Sequence, residues 1–377
     1  MNRHRSVLCI IPPHMLHEIV RNGSPEQREM AVRTLVTSEQ IRGHRRAWRE
    51  LKGLLSAAAG SGKRRTVYSA QQGSQLPGVK VRGEGDPPSS DVTVNEAYDG
   101  SGITYDLFFD IYGRNSIDNN GMQLDSTVHY QKGYDNAFWD GQQMVYGDGD
   151  EDLPADQRLF NRFTICLDII GHELTHGVTE HEANLAYITQ SGALNESFSD
   201  VFGSLVKQYQ RGQTAAQADW IVGEGLFTAN VNGVGIRSMK APGTAYDDPI
   251  LGKDPQPGHM KDYVTTIEDN GGVHINSGIP NRAFYVTALE IGGFAWEKAG
   301  FIWYKTLTEK LQSTANFQTA ADKTFEAASE LYGAGSLEQM AVQKGWAEVG
   351  IAIGGSTGGG GCLDAILGFF GLQLRGL

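Results

Sequence analysis

His172, Glu173 and His176 stand in the run Gly171-His-Glu-Leu-Thr-His-Gly177, and Glu196 follows inside Asn195-Glu-Ser-Phe-Ser-Asp200. On a helix, positions four apart lie on one face, so both imidazoles can aim a ring nitrogen at a single ion. Glu173, one position along, is offset from that face and suits a base that touches an ion-held water better than it suits a ligand. Catalytic zinc takes three protein ligands and keeps a fourth position open, which makes Glu196 the candidate third ligand. Asp200, one turn further, is placed to accept the remaining ring N–H of a zinc histidine and fix its tautomer, and Asn195 lies beside the same set. Ile165, Ile169, Ile170 and Leu174 predict a largely buried helix, where lone polar groups are costly. A cation is their natural partner, and metal-assisted hydrolysis is the chemistry they fit. The alternative, two solvated histidines on a surface helix, leaves the second motif unexplained.

Residues 66–350 resemble the thermolysin-like zinc metalloendopeptidases. Beyond the zinc motifs, the likeness rests on Ser126-Thr-Val-His-Tyr130, Gly133-Tyr-Asp-Asn-Ala-Phe-Trp139, Met144-Val-Tyr-Gly-Asp-Gly149, Ile236-Arg-Ser-Met239 and Asp269-Asn-Gly-Gly-Val-His-Ile-Asn-Ser-Gly278. It implies an α+β fold of two lobes, β-rich at the N-terminus and mainly helical at the C-terminus, joined by a central zinc-binding helix. It further implies that His172, His176 and Glu196 hold zinc while Glu173 activates a zinc-bound water. Tyr187 and His274 would donate hydrogen bonds to the oxyanion, with Asp269 orienting His274. Asn136 and the backbone of Ala137 look like the edge that holds a peptide extended, and Arg237 like the group that binds a substrate carbonyl. Taken singly, His274 reads as structural and Asn136 as a turn residue. Phe160, Phe163, Ile169, Val222 and Ile236 fall where the family lines the pocket for the residue after the scissile bond, so cleavage before Leu, Phe, Ile or Val is expected. Phe163 replaces a smaller leucine there.

Calcium marks a departure from the family pattern. The double calcium site corresponds to Asp168, Lys207, Asp219, Ile221 and Glu224, so a lysine and an isoleucine replace two acids; Val234 replaces an acid of a further site. Calcium needs oxygen ligands. The double site is therefore expected to be lost, with at most one ion kept by Asp168, Asp219 and Glu224.

The 377 residues suffice for two lobes plus extensions, and 40% apolar with 20% charged residues is ordinary for a globular protein. No apolar run approaches the length of a membrane span. Five apolar residues before Pro12 are too few for a secretory signal, so synthesis in the cytoplasm is expected, with retention or non-classical release. Cys9, Cys166 and Cys362 are far apart and odd in number, which argues against a disulfide framework. Cys9 reads as a small apolar residue, or alternatively as a cap on the zinc in a latent form. Residues 1–65 carry 13 Lys or Arg against five Glu, a net of +8, and the remainder carries −20. A basic arm can bind nucleic acid, but no aromatic interleaving or nucleic-acid motif supports it.

An intramolecular partner explains the asymmetry better: residues 1–55 as an inhibitory, cleaved pro-segment docked by opposite charge on its own body. Ile11-Pro-Pro-His-Met-Leu16 resembles the short propeptide of protealysin-like members, with His14 where an aromatic residue is usual, a place where it would make activation pH-dependent. Peptide and protein substrates, and an inhibitor protein, are the other expected partners. Ser24, Pro25 and Gln27 predict a capped helix, and maturation is expected between residues 45 and 63, around the flexible 57–62. Strands are expected at 79–81, 92–94 and 122–130 in a lobe spanning 56–159, with 95–111 alternatively helical. The central helix is expected at 160–180 and opens the lobe spanning 160–353, with further helices at 192–209, 279–291, 301–312 and 319–332. Residues 354–377 form a Gly-rich linker and a short apolar tail that either docks or is a functionless extension.

Overall fold

The computed structural model describes residues 8–52 and 62–354. The apolar tail and the expected flexible stretch before Gly62 lie outside them. In chain order the elements begin with β1 (Leu8–Cys9), α1 (Pro13–Asn22) and α2 (Pro25–Lys52). Then come β2 (Arg65–Ser69), β3 (Val79–Gly83), α3 (Val92–Tyr112), β4 (Leu124–Val128), β5 (Ala137–Trp139) and β6 (Met144–Tyr146). The second half holds α4 (Leu167–His181), α5 (Thr189–Arg211), α6 (Asp269–Asn276), α7 (Gly278–Ile291), α8 (Lys298–Lys305), α9 (Phe317–Tyr332) and α10 (Leu337–Glu348). Between α5 and α6 lie β7 (Ile221–Val222), β8 (Arg237–Ser238), β9 (Asp247–Asp248) and β10 (Gly252–Lys253), paired as two small ribbons. The fold is α+β, a strand-rich first lobe and a helical second one.

The main sheet runs β1-β5-β6-β4-β2-β3. β4 pairs in parallel with β2 and β6, whereas β5 pairs antiparallel with β6 and β1. The first strand of the expected pro-segment thus occupies the sheet edge beside β5, with Cys9 opposite Phe138. α1 buries Met15, Leu16 and Ile19. α2 opens with the expected capping box: Ser24 Oγ accepts from Gln27 N, and Gln27 Oε1 accepts from Ser24 N at 2.7 Å. Among the described side chains no ion pair joins residues 8–52 to the body. The described contacts of residues 8–52 with the body are strand addition, apolar burial and hydrogen bonds such as Gln27 Nε2 to Gln157 O at 2.7 Å.

Three expectations about elements are corrected. Residues 92–94 are not a strand but the first turn of α3, because the Asp91 carboxylate accepts from Thr93 N at 3.0 Å and caps the helix. The central helix starts at Leu167, later than 160, since 163–165 form a short 3-10 turn. The expected helix over 301–312 is α8 followed by a π-helical turn at Thr306–Lys310.

α4 is buried along most of its length, under α3 on one side and α5 on another. Glycine sets both approaches. A Cβ on Gly100 of α3 would lie 2.4 Å from Ile170, and one on Gly203 of α5 would lie 2.3 Å from the Asp168 carbonyl. That second contact lets α5 come close enough to bring Glu196 to the two histidines.

Candidate active site

His172 and His176, on adjacent turns of α4, bring their rings within 4.6 Å of each other, centroid to centroid. Glu196 of α5 stands opposite, Oε2 lying 3.5 Å from His172 Nε2 and Oε1 3.5 Å from His176 Nε2. These gaps are too long for hydrogen bonds. Two atoms each about 2.1 Å from one ion at the tetrahedral angle stand about 3.4 Å apart, so the separations suit a shared zinc. His172 Nε2 and Glu196 Oε2 are fully buried and make no hydrogen bond with the protein, an arrangement that only a bound cation makes favourable. The residues present fit zinc.

The far side of each imidazole is held. His172 Nδ1 lies 2.8 Å from Asp200 Oδ1, and His176 Nδ1 lies 2.8 Å from Asn195 Oδ1 and 2.9 Å from Ser199 Oγ. Asp200 also receives Arg237 at 2.7 and 2.8 Å and Asn281 Nδ2 at 2.8 Å. Burial works against its charge, but Arg237 and His172 hold its carboxyl well below the usual carboxylate range. Ser199 and Asn281 escaped the sequence reading. Ser199 sits one turn past Glu196, on the same helical face, and could have been found; Asn281 reaches in from α7 with no local signal.

Glu173 belongs to the same cluster, and its Oε2 accepts from Trp139 N of β5 at 3.0 Å. This contact ties the base to the sheet edge where an extended peptide lies. On the other wall, Asp269 and Asn270, followed by Gly271 and Gly272, form a left-handed turn with φ of 50°, 52°, 87° and 75°. The turn folds Asp269 back so that its carboxylate takes His274 N at 2.8 Å and His274 Nδ1 at 2.6 Å. Burial opposes the charge on His274, but the Asp269 and Glu196 carboxylates outweigh it and raise its pKa to about 9. Tyr187 OH donates to Glu196 Oε1 and lies 3.1 Å from His274 Nε2. Of the two expected oxyanion donors, therefore, only His274 faces a carbonyl in this state.

That carbonyl belongs to the chain itself. His274 Nε2 lies 3.1 Å from Cys9 O, Ile10 N donates to Ala137 O at 3.2 Å, and Arg237 Nη1 donates to Ile10 O at 3.2 Å. Asn136 Oδ1 accepts from Ile11 N at 3.0 Å and its amide nitrogen donates to Ile11 O at 3.4 Å. Asn136, Ala137 and Arg237 thus converge on one extended segment. Cys9 packs with Tyr130, Tyr134, Phe138 and Val145. Phe160, Phe163, Ile169, Val222 and Ile236 are all buried in the same continuous core as Ile10.

The substituted calcium region is filled by protein. Lys207 Nζ lies 3.0 Å from Asp168 Oδ2, 2.9 Å from Asp219 Oδ1 and 2.6 Å from Ile221 O. Arg211 reaches Glu224 at 2.9 Å and Asp219 at 3.2 Å. Burial disfavours the Lys207 ammonium, but Asp168 and Asp219 more than compensate and raise its pKa.

Comparison with known proteins agrees with this geometry. Residues 60–180 match the thermolysin metallopeptidase catalytic domain and residues 183–351 its alpha-helical domain. An extracellular metalloprotease of Pectobacterium carotovorum subsp. carotovorum is 50% identical over 352 residues, which is 93% of this chain and 98% of that protein. Protease PrtS of Photorhabdus sp. (strain Az29) is 46% identical, over 91% of this chain and 92% of its own. The solved precursor of protealysin, a metalloproteinase from Serratia proteamaculans, superposes with a TM-score of 0.82 at 52% identity, covering 92% of this chain and all of that one. Fold and site together define a zinc metalloendopeptidase with a propeptide. The chain belongs to the thermolysin family, in its protealysin-like branch.

Proposed function

We propose that this protein is a self-processing zymogen that hydrolyses peptide bonds on the N-terminal side of large apolar residues. The observation that carries this reading is the chain's own segment at residues 9–11, held by Ala137, Asn136 and Arg237 with the carbonyl of Cys9 turned to His274. Such an arrangement blocks the cleft in the precursor and outlines how a peptide is gripped after maturation. The fully apolar set Phe160, Phe163, Ile169, Val222 and Ile236 supports the preference for an apolar residue after the cleaved bond.

His172, His176 and Glu196 would hold zinc, and Asp200 and Asn195 fix the histidine tautomers. Zinc when bound supplies a Lewis acid and lowers the pKa of water. Glu173 takes the proton from the attacking water and passes it to the leaving amine. His274, kept protonated by Asp269, donates to the developing oxyanion, and Tyr187 joins it once its hydroxyl leaves Glu196. Arg237 and Asn136 hold the peptide beyond the bond, so that its carbonyl stays in register with the base. The double calcium site is replaced by Lys207.

Glu173→Ala tests the reading. The purified variant is expected to accumulate as an unprocessed full-length chain and to leave internal bonds of a quenched peptide intact, with turnover down by at least about 10²-fold. Continued processing of that variant would make the autocatalytic origin wrong. A peptide series varying only the residue after the bond tests the preference, with Leu, Phe, Ile and Val expected ahead of Asp, Lys and Gly.

A further inference from the structure

We infer that the Cys9–Ile10 peptide bond is itself a substrate of the site, cut in cis by the precursor, and that the nicked pro-segment stays docked and still inhibits. The inference rests on the proposed endopeptidase reading and deepens it.

The register leaves one bond in the reacting position. Ala137 O and Arg237 both hold Ile10, at 3.2 Å each, and Asn136 holds Ile11. The carbonyl immediately before Ile10 is the one facing His274, at 3.1 Å. Between the residue gripped by Arg237 and the carbonyl turned to the donor there is only Cys9–Ile10. Ile10 is fully buried and is a large apolar residue, which is what the site favours after a cut. A strand laid in the reverse direction would be protected from hydrolysis. This one runs antiparallel to β5 with the Cys9 carbonyl on the His274 side and the Ile10 carbonyl on Arg237, and it contacts α4, which carries Glu173.

The step balances without any further reactant. The oxygen of water bonds to the Cys9 carbonyl carbon while Glu173 takes a proton from that water. The C–N bond to Ile10 then breaks, and the proton passes from Glu173 to the leaving nitrogen. Cys9 ends as an α-carboxylate and Ile10 as an α-ammonium.

Cleavage here does not release the block. Residues 10–52 remain attached through buried Ile10, Ile11, Met15, Leu16 and Ile19. They are also tied by Gln27 to Gln157 O at 2.7 Å, Arg33 to Lys132 O at 3.0 Å and Thr37 to Gln131 at 3.2 Å. Activation needs a separate cut nearer the body, so nicking and activation are distinct events.

The test follows the purified full-length chain, loaded with zinc, by intact mass and N-terminal sequencing over time. A species beginning at Ile10 is expected, forming with a rate constant independent of protein concentration, before hydrolysis of an added leucine-containing quenched peptide rises. Glu173→Ala should yield none of it, and Ile10→Gly should slow it at least ten-fold while Ile10→Val leaves it nearly unchanged. If the incubated preparation comes to cleave the added peptide but never shows an Ile10 terminus, the inference is wrong and the endopeptidase reading stands. If neither event occurs, the reading itself fails. Equal nicking in Glu173→Ala, or a rate proportional to concentration, would overturn a cis reaction.

Discussion

At the residue scale, the chemistry depends on charges held out of water by exact partners, and Asp200 is where most of them meet. It orients His172, balances the Arg237 guanidinium and accepts from Asn281, all in a fully buried setting. Asp200→Asn removes the balancing charge and leaves Arg237 uncompensated. The expected cost is about 3–5 kcal/mol of stability with a 10–100-fold loss of zinc affinity, read by denaturant melts and by competition with a chromogenic chelator. His14 provides a second prediction. Its ring touches Tyr246 OH at 3.2 Å, and burial, with His274, Arg237 and His17 nearby and only Asp269 opposing, lowers its pKa from 6.5 to about 4. The docked ring is therefore neutral. Docking strength is full above pH 6.5 and is lost progressively as pH falls toward 4, by at most about 10²-fold because the ring is partly exposed. The hydrogen-exchange protection of α1 in the Glu173→Ala precursor, corrected for the intrinsic pH dependence of amide exchange, should fall between pH 7 and 5, and His14→Phe should flatten that response. The zinc ligands and their base were legible from type and spacing, because an ion imposes both. Asn281 was not, since a single amide reaching in from a distant helix leaves no pattern in the chain.

At the scale of elements, the site exists because α4 and α5 touch backbone to backbone. A methyl group on Gly203 would fall 2.3 Å from Asp168 O and 3.0 Å from His172 N, with no side-chain end free to yield. Gly203→Ala must push the helices apart and carry Glu196 away from the histidines. It is expected to cost about 1–3 kcal/mol and to reduce zinc affinity, whereas Gly212→Ala at the end of α5, strained by its φ of 60° but with open space around it, should lower stability by about 1 kcal/mol and leave metal binding intact. Melting curves and zinc titration of the two variants separate site geometry from general stability. The helices with clear apolar periodicity, α5, α7 and α9, were readable within two or three residues of their ends. α3 was misread at its start because the three β-branched residues Val92, Thr93 and Val94 outweighed the Asp91 cap, and α6 was missed because its first turn is left-handed and glycine-rich. α10 has no dominant apolar face, so its burial against α7 and α9 is a tertiary fact and not a sequence pattern.

For the whole molecule, the expected loss of the double calcium site turns on what joins α4, α5 and the segment that follows α5. Lys207 projects from α5 to Asp168 on α4 and to Asp219 and Ile221 O beyond it, so one ammonium joins three parts of the chain. Arg211 adds an exposed outer layer on Asp219 and Glu224, which contributes little by itself. The charge asymmetry was readable in the sequence; among the described side chains the pro-segment holds by strand pairing, hydrogen bonds and apolar burial, and Lys207 is a buried cation of the acidic body. Because that cation is covalently part of the chain, stability should not depend on calcium in the medium. Adding a calcium-selective chelator to the zinc-loaded protein is expected to leave the melting midpoint and the peptide-hydrolysis rate unchanged, and rapid autolysis on its addition would contradict this. Lys207→Met keeps the volume but leaves Asp168 buried without its counter-charge, at a cost of about 3–5 kcal/mol. In a chain of this size that corresponds to a midpoint lower by roughly 4–7 °C. Lys207→Glu discriminates further: partial recovery of its midpoint on adding millimolar calcium would mean that the oxygen cage survives around the lysine, whereas no recovery would mean that Ile221 and the Arg211 contacts have dismantled it.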